Sequence, residues 1–494
     1  MKTAASPHIL AHLPIDRNSK TPLHRQVYNA LRKAILDGML RPGQRVPATR
    51  ALAEELEISR LPVLAAYEQL IHEGYIAGRS GSGTYVCAAP PDRMLAARPD
   101  THRVGGESNG TLGSAKKRHA PLRAVPLGRD EGGIRAFRVT LPALDQFPHE
   151  LWSRLVARHA RRLAPIHMAY GDPAGIGALR AAIADHLRTA RAVRCEPEQV
   201  LVLSGSQAAL RICAAVLLGR GDRVAVEEPG YPGAHAAVRA SGAELVPVPV
   251  DDDGIDVEAL AALRQRVRAV YVTPSHQYPL GSSMSAARRL ALLEWAARHD
   301  AWILEDDYDS EYRYVSRPLG ALQGIDTCDR VIYIGTFSKV LFPSLRVGYL
   351  VVPRSLWESF LDARDALDVC SPTLYQLVLA EFLHEGHFAR HLRRMRGVYL
   401  RRREAMLEGL ARHCLDGLSV VNADAGLHIA TLLNRGSSDV AMVRRLATAG
   451  LKANPLSQCY IGESHRNGLL LGFGGFDEKT LLAATRKLGE LLRA

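Results

Sequence analysis

A lysine and an aspartate stand beside two apolar runs in the second half of the 494-residue chain, at positions suited to covalent chemistry. Lys339 closes the segment G-T-F-S-K (335–339), which directly follows the apolar run 331–334. A lysine amine in such a position can form a Schiff base with an aldehyde cofactor. Asp306 lies 33 residues earlier (339 − 306), in the acidic segment E-D-D-Y-D. A carboxylate that faces the lysine is the charged partner that a pyridinium nitrogen needs.

Other polar residues around these two are suited to a phosphate group. Arg346 follows Lys339 by seven residues, and a guanidinium binds phosphate well. Residues 203–210 (L-S-G-S-Q-A-A-L) predict a strand, a turn and a helix whose first N–H groups can cradle a phosphate. Tyr231, in E-P-G-Y (228–231), can stack on a ring. Taken singly, such motifs are more often structural than functional, so only their combination is informative.

From residue 137 onward, helical stretches alternate with short apolar strands. Such alternation predicts an α/β domain with a mainly parallel sheet. Ligands of open α/β sheets bind where the strands end, and the polar motifs described above stand at those ends. The predicted strands are residues 200–203, 223–226, 269–272, 302–304, 331–334 and 348–352.

The first 88 residues predict a smaller α+β module. Apolar residues at three- and four-residue spacing predict a helix over 21–41. A short second helix with Thr49 as its N-cap and a third helix capped by Ser59 follow, and residues 75–86 predict a β-hairpin wing. This order is the plan of a winged helix-turn-helix, in which one helix enters the major groove of DNA. Arg60 opens the third helix, where a guanidinium can contact guanine, with a plain surface charge as the alternative.

Positive charge is concentrated in the first quarter of the chain. Lys and Arg number 63 against 51 Asp and Glu, a net charge of +12. Residues 1–88 and 89–135 carry +4 each, which leaves 43 basic and 39 acidic residues for the other 359. A basic front predicts a polyanionic partner, with a solvated surface that aids solubility as the alternative. Residues 89–135 lack periodicity and contain Lys116-Lys117-Arg118, so we predict a flexible basic linker with a reach of roughly 35–41 Å.

The composition argues against several other classes of protein. Hydrophobic residues make up 47% and charged residues 23%, which argues against wholesale disorder, and no apolar run approaches the ~18–20 residues that span a bilayer. The N-terminus lacks the apolar core of a signal peptide. The seven cysteines are scattered without a C-x-x-C pair, which argues against a disulfide framework or a zinc site. We therefore predict a cytoplasmic protein without a metal site, with domains at 1–88 and 136–494.

The first module resembles the DNA-binding domain of GntR-type regulators. The shared motifs are, in order, P-L-x-x-Q at 22–26, G-x-L-x-P-G at 38–43, V-P-A-T-R-x-L-A at 46–53, S-R at 59–60, A-Y-E-Q-L at 66–70 and G-S-G-T at 81–84. The resemblance implies that Arg50, Arg60, Arg79 and Gly81 contact double-stranded DNA. The family usually has a polar pair after S-R, whereas this chain has Leu61-Pro62, so a hydroxyl contact to phosphate is lost.

The rest of the chain resembles fold-type-I pyridoxal-phosphate enzymes of the aminotransferase class. Y-G-D-P-A-G at 170–175 and T-P-S-H-Q at 273–277 add to the motifs above. The resemblance implies pyridoxal 5'-phosphate as the cofactor. It also implies that Lys339 is the Schiff-base lysine, that Asp306 pairs with the pyridinium nitrogen and that Tyr308 bonds the phenolate oxygen.

The same resemblance implies roles for residues around the ring and the phosphate. Tyr231 would stack on the ring. His276 is either a neighbour of the cofactor or a loop histidine with a structural role. The phosphate would be held by Ser206, Gln207, Thr336 and Arg346.

One position departs from the aminotransferase pattern. Aminotransferases carry an arginine near the C-terminus that binds the substrate α-carboxylate, and related regulators have it in L-R-L-G-F. This chain has L-L-L-G-F at 469–473, so Leu470 takes the place of the arginine. Arg466 lies nearby in sequence but is not expected to project equivalently. Because a buried apolar side chain cannot pair with a carboxylate, we expect little or no transamination.

Together, the two modules resemble the MocR/GabR subfamily of GntR-type regulators, in which E-D-D-Y-D-S-E (305–311) and T-P-S-H-Q are typical. The resemblance implies a transcriptional regulator that binds an operator, a small-molecule effector and a second copy in a head-to-tail, domain-swapped homodimer. Our first hypothesis is that pyridoxal phosphate itself is the signal and that vitamin B6 synthesis is controlled. The alternatives are sensing of an amine or amino compound through the Schiff base, and an active aminotransferase with an autoregulatory DNA-binding domain.

Overall fold

The computed structural model divides into two compact units, residues 1–116 and 117–494. The structure describes residues 15–17, 19, 21–79, 82–88, 133–139, 141–314, 320–434 and 438–493, with only the backbone of Arg79. The predicted linker 89–135 therefore lies almost entirely outside the described residues, and the predicted domain boundaries stay predictions. Within these described ranges, no helix combines the length and the apolar composition that crossing a membrane requires.

The first unit is a winged helix-turn-helix. Helix α1 (Leu23–Leu36) and helix α2 (Thr49–Glu55) both pack on α3 (Arg60–His72), around a core of apolar side chains from all three. The wing is an antiparallel hairpin of β1 (Ile76–Arg79) and β2 (Gly83–Val86). The predicted order of elements is thereby confirmed.

One detail at the start of α2 differs from the prediction. Its N-cap is Ala48, and Thr49 is already its first helical residue. The Thr49 hydroxyl accepts a hydrogen bond from Arg60 Nε at 3.2 Å, so it ties α2 to the start of α3 and does not cap its own helix. Ser59 is the N-cap residue of α3, as predicted.

The second unit is built on a large sheet whose two faces are both buried. Alternate residues of the first strand, β3 (Val200–Leu203), belong to different hydrophobic cores, as expected for a sheet covered by helices on both sides. The described helices are α4 (His149–Arg161), α5 (Pro165–Met168), α6 (Gly177–Arg191), α7 (Ser206–Leu217), α8 (Pro232–Ala240), α9 (Val257–Ala261), α10 (Ala286–His299), α11 (Leu322–Ile325), α12 (Trp357–Asp368), α13 (Thr373–His384), α14 (His387–His413), α15 (Asp439–Thr448) and α16 (Glu478–Arg493).

The strands of the large sheet confirm the mainly parallel prediction. They are β3, β4 (Arg223–Glu228), β5 (Glu244–Asp251), β6 (Gly254–Ile255), β7 (Ala269–Val272), β8 (Trp302–Asp307), β9 (Val331–Thr336) and β10 (Gly348–Val351). Their order is β3-β10-β9-β8-β7-β4-β5-β6, parallel from β9 to β5, with β10 and β6 antiparallel to their neighbours. Strand β5 was not predicted, because Pro247 and Pro249 interrupt its pattern; it lies near the edge of the sheet, where proline is tolerated.

A small antiparallel sheet lies near the C-terminus of the chain. Its strands β11 (Leu418–Asn422), β12 (His428–Leu433), β13 (Asn454–Pro455) and β14 (Gly468–Gly472) have the order β11-β12-β14-β13. Phe137 forms an isolated bridge with Gly472, and the Lys452 backbone N–H donates to the Ala136 carbonyl at 2.8 Å. The segment that begins the second unit's described part is therefore joined to this small sheet.

Candidate functional site

A cavity of about 440 Å³ lies where the ends of β7 and β8 meet residues of the small sheet. Among the eight residues predicted to hold a cofactor, Thr336 does not line it; its hydroxyl instead accepts a hydrogen bond from the Ser338 N–H at 3.2 Å. The structure brings the other seven together around this one space. They are Ser206, Gln207, Tyr231, Asp306, Tyr308, Lys339 and Arg346.

Asp306 is a buried carboxylate with one oxygen engaged and one oxygen open to a ligand. Its Oδ2 accepts a hydrogen bond from the Tyr271 hydroxyl at 2.8 Å, whereas its Oδ1 is buried without a partner among the described residues. Burial raises the pKa of Asp306 to about 7, against the opposing effects of the Tyr271 bond and the Lys339 charge. A cationic N–H placed at Oδ1 would satisfy the open oxygen and stabilise the ionised form.

The neighbours of Asp306 on β8 anchor the strand to the protein. Because side chains alternate along a strand, Glu305 and Asp307 face away from Asp306. Glu305 accepts hydrogen bonds from the Leu322 and Gln323 N–H groups at the start of α11, at 2.7 and 2.8 Å. Asp307 forms a buried ion pair with Arg191 at 2.8 Å. The acidic motif is therefore a set of individually partnered carboxylates around the one that faces the cavity.

Lys339 lines the same cavity as Asp306, and its amine loses its proton more easily than that of an ordinary lysine. Burial lowers the pKa of Lys339 to about 8. The charges of Arg346 and Arg138 act in the same direction, and those of Asp309 and Asp306 oppose it. A lysine with this pKa has a substantial neutral fraction near neutral pH, and the neutral amine is the nucleophile.

One end of the cavity is built for an anion. Gly205 is the N-cap of α7 with φ +94°, and a Cβ at this position would lie 3.1 Å from the Arg346 guanidinium. Glycine therefore allows Arg346, which donates to the Ser204 carbonyl at 2.6 Å, to lie beside the first N–H groups of α7. A helix N-terminus next to a guanidinium is suited to an anion such as a phosphate group.

Ser338 joins this group, although the sequence analysis did not select it. Its buried Oγ has no hydrogen-bond partner among the described residues, and the side chain lines the cavity. Its position directly before Lys339 was the signal that could have identified it. Ser338 is therefore a further candidate for this site, and the phosphate contact of Thr336 stays a prediction.

Tyr308 is oriented by a buried histidine–aspartate pair. His276 Nδ1 lies 2.9 Å from the Tyr308 hydroxyl and 2.9 Å from Asp309 Oδ1. Because a carboxylate accepts hydrogen bonds and cannot donate them, Nδ1 carries the proton and donates to both Asp309 and the Tyr308 oxygen. The Tyr308 hydroxyl hydrogen is then left to donate into the cavity. His276 therefore contacts Tyr308 from behind and positions its hydroxyl. The sequence had left open whether His276 is a neighbour of the cofactor or a structural loop histidine.

His428 completes the environment of this pair. Its ring centroid lies 5.2 Å from that of His276, and burial lowers the pKa of His428 to about 4, so this ring is neutral at physiological pH. One ligand atom each from His276, Asp309 and His428 lie within 4.8 Å of one another, a grouping that could hold a metal ion. Since the hydrogen bonds of His276 Nδ1 already engage Asp309 and Tyr308, the geometry favours the positioning role.

Tyr231 lines the cavity next to the phosphate end. Its hydroxyl accepts a hydrogen bond from Gln207 Nε2 at 3.0 Å, which links the ring to the start of α7. Tyr278 packs edge-on against the Tyr231 ring, with centroids 5.4 Å apart. Two contacts therefore fix the plane of the tyrosine that we predicted to stack on a cofactor ring.

One residue of the cavity wall is the departure from the aminotransferase pattern. Leu470, on β14, is fully buried and lines the cavity. Arg466 is exposed and does not line it, as expected. Two cations that the sequence analysis did not select, Arg138 and Lys452, do line it. Their positions far from the motifs gave no signal in the sequence.

The residues of the cavity fit pyridoxal phosphate. The open Asp306 Oδ1 matches a protonated ring nitrogen, Lys339 matches the aldehyde, and Arg346 and the buried Ser338 hydroxyl offer donors that suit a phosphate. Tyr308 has a hydrogen to donate to a phenolate oxygen. These matches rest on the chemistry of the side chains present, and the individual roles stay predictions.

In the first unit, two of the four predicted DNA-binding residues have described side chains. Arg50 on α2 and Arg60 at the start of α3 are both exposed. Arg79 is on β1, with a side chain outside the described part, and Gly81 lies outside the described residues altogether. Leu61, which replaces a polar residue of the family, is 75% exposed at the start of α3.

Comparison with known proteins yields matches over both units. Residues 23–86 match the bacterial regulatory proteins of the gntR family, and residues 151–469 match aminotransferase class I and II. The chain is 42% identical to the probable rhizopine catabolism regulatory protein MocR of Rhizobium meliloti, over 95% of this chain and 93% of that protein. It is 34% identical to the HTH-type pyridoxine biosynthesis transcriptional regulator PdxR of Corynebacterium glutamicum, over 96% of this chain and 97% of that protein.

A solved structure matches a large part of the chain. The α-aminoadipate aminotransferase LysN of Thermus thermophilus, complexed with N-(5'-phosphopyridoxyl)-L-leucine, is 30% identical with a TM-score of 0.69. The match covers 73% of this chain and 92% of that chain. The regulators thus match nearly the whole chain, whereas the aminotransferase matches about three quarters of it.

We expect Lys339→Ala to lose the yellow absorbance that survives dialysis after loading with pyridoxal phosphate, because covalent attachment needs a primary amine at this position. Lys479→Ala removes an exposed lysine of α16 and should stay yellow. Visible spectra of the dialysed proteins provide the measurement. In the native chain the rate of attachment should rise with pH through about 8 and then level off, since the neutral form of Lys339 is complete above its pKa. A yellow Lys339→Ala protein would contradict the assignment.

We expect His276→Phe to raise, by about one pH unit, the pKa obtained by titrating the visible absorbance of the loaded protein. The reason is that the Tyr308 hydrogen is no longer directed at the phenolate oxygen, so the phenolate loses a donor that stabilises it. His276→Gln, whose amide can still donate to the Tyr308 oxygen, should recover part of the effect. In a Tyr308→Phe background the His276 substitution should change nothing further; an equal additional change there would show that His276 does not act through Tyr308.

Proposed function

This chain belongs to the MocR/GabR subfamily of GntR-type transcriptional regulators, and from that premise we propose that it binds pyridoxal phosphate at Lys339 and that occupancy of the cofactor cavity controls its binding to DNA. When bound, pyridoxal phosphate supplies an aldehyde that condenses reversibly with amines and a ring that withdraws electrons. The two units then have separate roles, because the first presents a helix to the major groove and the second holds the ligand.

One observation carries the proposal: a buried carboxylate oxygen without a partner among the described residues stands in the same cavity as a lysine of lowered pKa. Asp306 would hold the ring nitrogen through Oδ1, and Lys339 would hold the aldehyde carbon. Arg346, Ser338 and the start of α7 would bind the phosphate. A ligand that brings a protonated nitrogen to this oxygen would supply the partner that it lacks among the described residues.

We propose pyridoxal phosphate itself as the first candidate signal. Leu470 argues against a ligand held by its α-carboxylate in the manner of aminotransferase substrates, since a leucine offers no charge to pair with it. The 34% identical regulator from Corynebacterium glutamicum is named for pyridoxine biosynthesis, which supports control of vitamin B6 synthesis.

Sensing of an amino compound is the second candidate, and one observation favours it. Arg138 and Lys452 also line the cavity, so it offers two cations besides Arg346 and Lys339. The 42% identical relative is named for rhizopine catabolism, which also supports a small-molecule effector other than the cofactor.

We propose that the second unit has little or no aminotransferase turnover. The substitution at Leu470 removes the charge that would hold an α-carboxylate through the reaction, and relatives that match the whole chain are named as regulators. Sustained production of a keto acid from any amino donor would contradict this part of the proposal and would favour an active aminotransferase with an autoregulatory DNA-binding domain.

We further propose that the protein works as a homodimer in the cytoplasm. Ile166, Met168 and Tyr170 are each at least 70% exposed along one short segment, an apolar surface that a second copy would cover. A dimer would present two reading helices to two half-sites of an operator. A head-to-tail arrangement with exchanged first units is compatible with the reach predicted for residues 89–135.

The cofactor proposal is tested by operator binding with and without pyridoxal phosphate. DNA selected from a random pool by the full-length protein serves as the probe in a gel-shift titration. We expect cofactor loading to change operator affinity by about 5–150-fold, the usual range of coupling between two sites. In Lys339→Ala, added pyridoxal phosphate should have a much smaller effect. Equal affinity of the loaded and unloaded proteins would sink direct sensing of the cofactor.

The same probe tests the reading helix. Arg60→Gln should weaken binding to the selected operator by roughly 5–150-fold, corresponding to ~1–3 kcal/mol for a bidentate guanine contact. Lys33→Gln removes the same charge from the exposed side of α1 and should have a much smaller effect. Equal losses in the two variants would mean that Arg60 contributes only its charge.

A further inference from the structure

Two cations flank the position at which the aminotransferase arginine is replaced. Arg138 and Lys452 line the cofactor cavity together with Leu470. The backbone explains why they gather there: the Lys452 N–H bonds to the Ala136 carbonyl, and Phe137 bridges to Gly472 on β14. Asn454, two residues after Lys452, pairs with Leu470 across β13 and β14. Three neighbouring stretches of chain therefore place two positive charges around one leucine.

These cations come from other parts of the chain than the group that would bind the cofactor phosphate. Ser206, Gln207 and Arg346 come from the start of α7 and from the turn after β9, on the large sheet. Arg138 and Lys452 come from two segments beside the small sheet: Arg138 follows the residue that bridges to β14, and Lys452 lies two residues before β13. The charge of Arg138 nevertheless reaches the Lys339 amine, because it contributes to lowering the pKa of that lysine. An anion bound by Arg138 and Lys452 would therefore lie close enough to Lys339 to interact with its amine.

We propose that Arg138 and Lys452 bind the carboxylate of a small amino acid, whose amino group lies toward Lys339 and whose carbon chain contacts Leu470. The proposal rests on the proposed cofactor site and names the class of the effector that would occupy the rest of that cavity. In a partly buried cavity a carboxylate gains more from two cations than it would in water. The effector is thus an amino carboxylic acid held by a relocated pair of charges, and simple amines bind more weakly.

Leucine at position 470 makes this arrangement selective. An acid placed against Leu470 would lose its hydration without gaining a partner, so its carboxylate must extend beyond the leucine to Arg138 and Lys452. The affinity of the site therefore depends on the separation between the amino group and the carboxylate of the ligand. Amino acids of different chain length should differ in affinity, with a single best length.

The experiment is a calorimetric titration of the full-length, cofactor-loaded protein. The probes are glycine, β-alanine and longer unbranched amino acids, each compared with its carboxamide, which keeps the shape and removes the negative charge. We expect one chain length to bind best, and its acid to bind roughly 10- to 100-fold more tightly than its carboxamide.

Variants assign the effect to the two cations. Lys452→Met and Arg138→Met should each remove most of the preference for the acid, and Lys452→Arg should retain it. Arg466→Met, which removes an exposed charge outside the cavity, is the matched control and should behave as the native chain. The concentration of bound cofactor is taken as the concentration of binding sites, so a variant that loads poorly can still be compared with the native chain.

The outcomes separate this inference from the function on which it rests. Equal binding of acid and carboxamide, or an unchanged preference in Lys452→Met and Arg138→Met, would overturn the proposed carboxylate site. If no amino acid binds while operator affinity still responds to pyridoxal phosphate, the inference fails and the cofactor function stands. If the protein does not take up the cofactor covalently, both fail.

Discussion

A carboxylate buried at the end of a central strand is the constraint on which the candidate site depends. Asp306 keeps one oxygen bonded to Tyr271 and leaves the other open, and burial raises its pKa to about 7. Such a group is unfavourable unless a cation or a donor meets it. A ligand that brings a protonated nitrogen to the open oxygen explains this arrangement. The nearby Lys339 indicates that the same ligand also carries an aldehyde.

The same strand shows how the protein tolerates so much acid in its interior. The carboxylates of the E-D-D-Y-D segment have different partners, since Glu305 caps α11, Asp307 pairs with Arg191, and Asp309 bonds His276. Only the Asp306 side chain is directed at the cavity with an oxygen to spare. The alternation of β8 therefore separates structural carboxylates from the functional one, although the letters of the motif are nearly identical.

The sequence predicted the elements and the motif residues well, because strands of a parallel sheet and the loops at their ends follow local patterns. It missed Arg138 and Lys452, which come to the cavity only through pairing of the chain around residue 137 with the small sheet. It did not select Ser338, because only the fold decides which side chains of one short turn face inward, and the phosphate contact of Thr336 stays a prediction. His276 could not be assigned from its neighbours in sequence, because its partners, Tyr308 and Asp309, are more than thirty residues away.

The replacement of an arginine by Leu470 bears on why a site of enzyme type would be kept in a regulator. A ligand shifts a conformational equilibrium only by its difference in affinity for the two states, so it must remain bound and unchanged while DNA binding responds. Lys339 and Asp306 are the groups that make a reversible attachment possible, whereas the missing arginine is the group that would hold an α-amino acid in place for reaction. On the function proposed, a site that keeps Lys339 and Asp306 but lacks the arginine can hold a ligand reversibly without turning it over. On the carboxylate site proposed above, the charges of Arg138 and Lys452 would then select the ligand, because Leu470 supplies none.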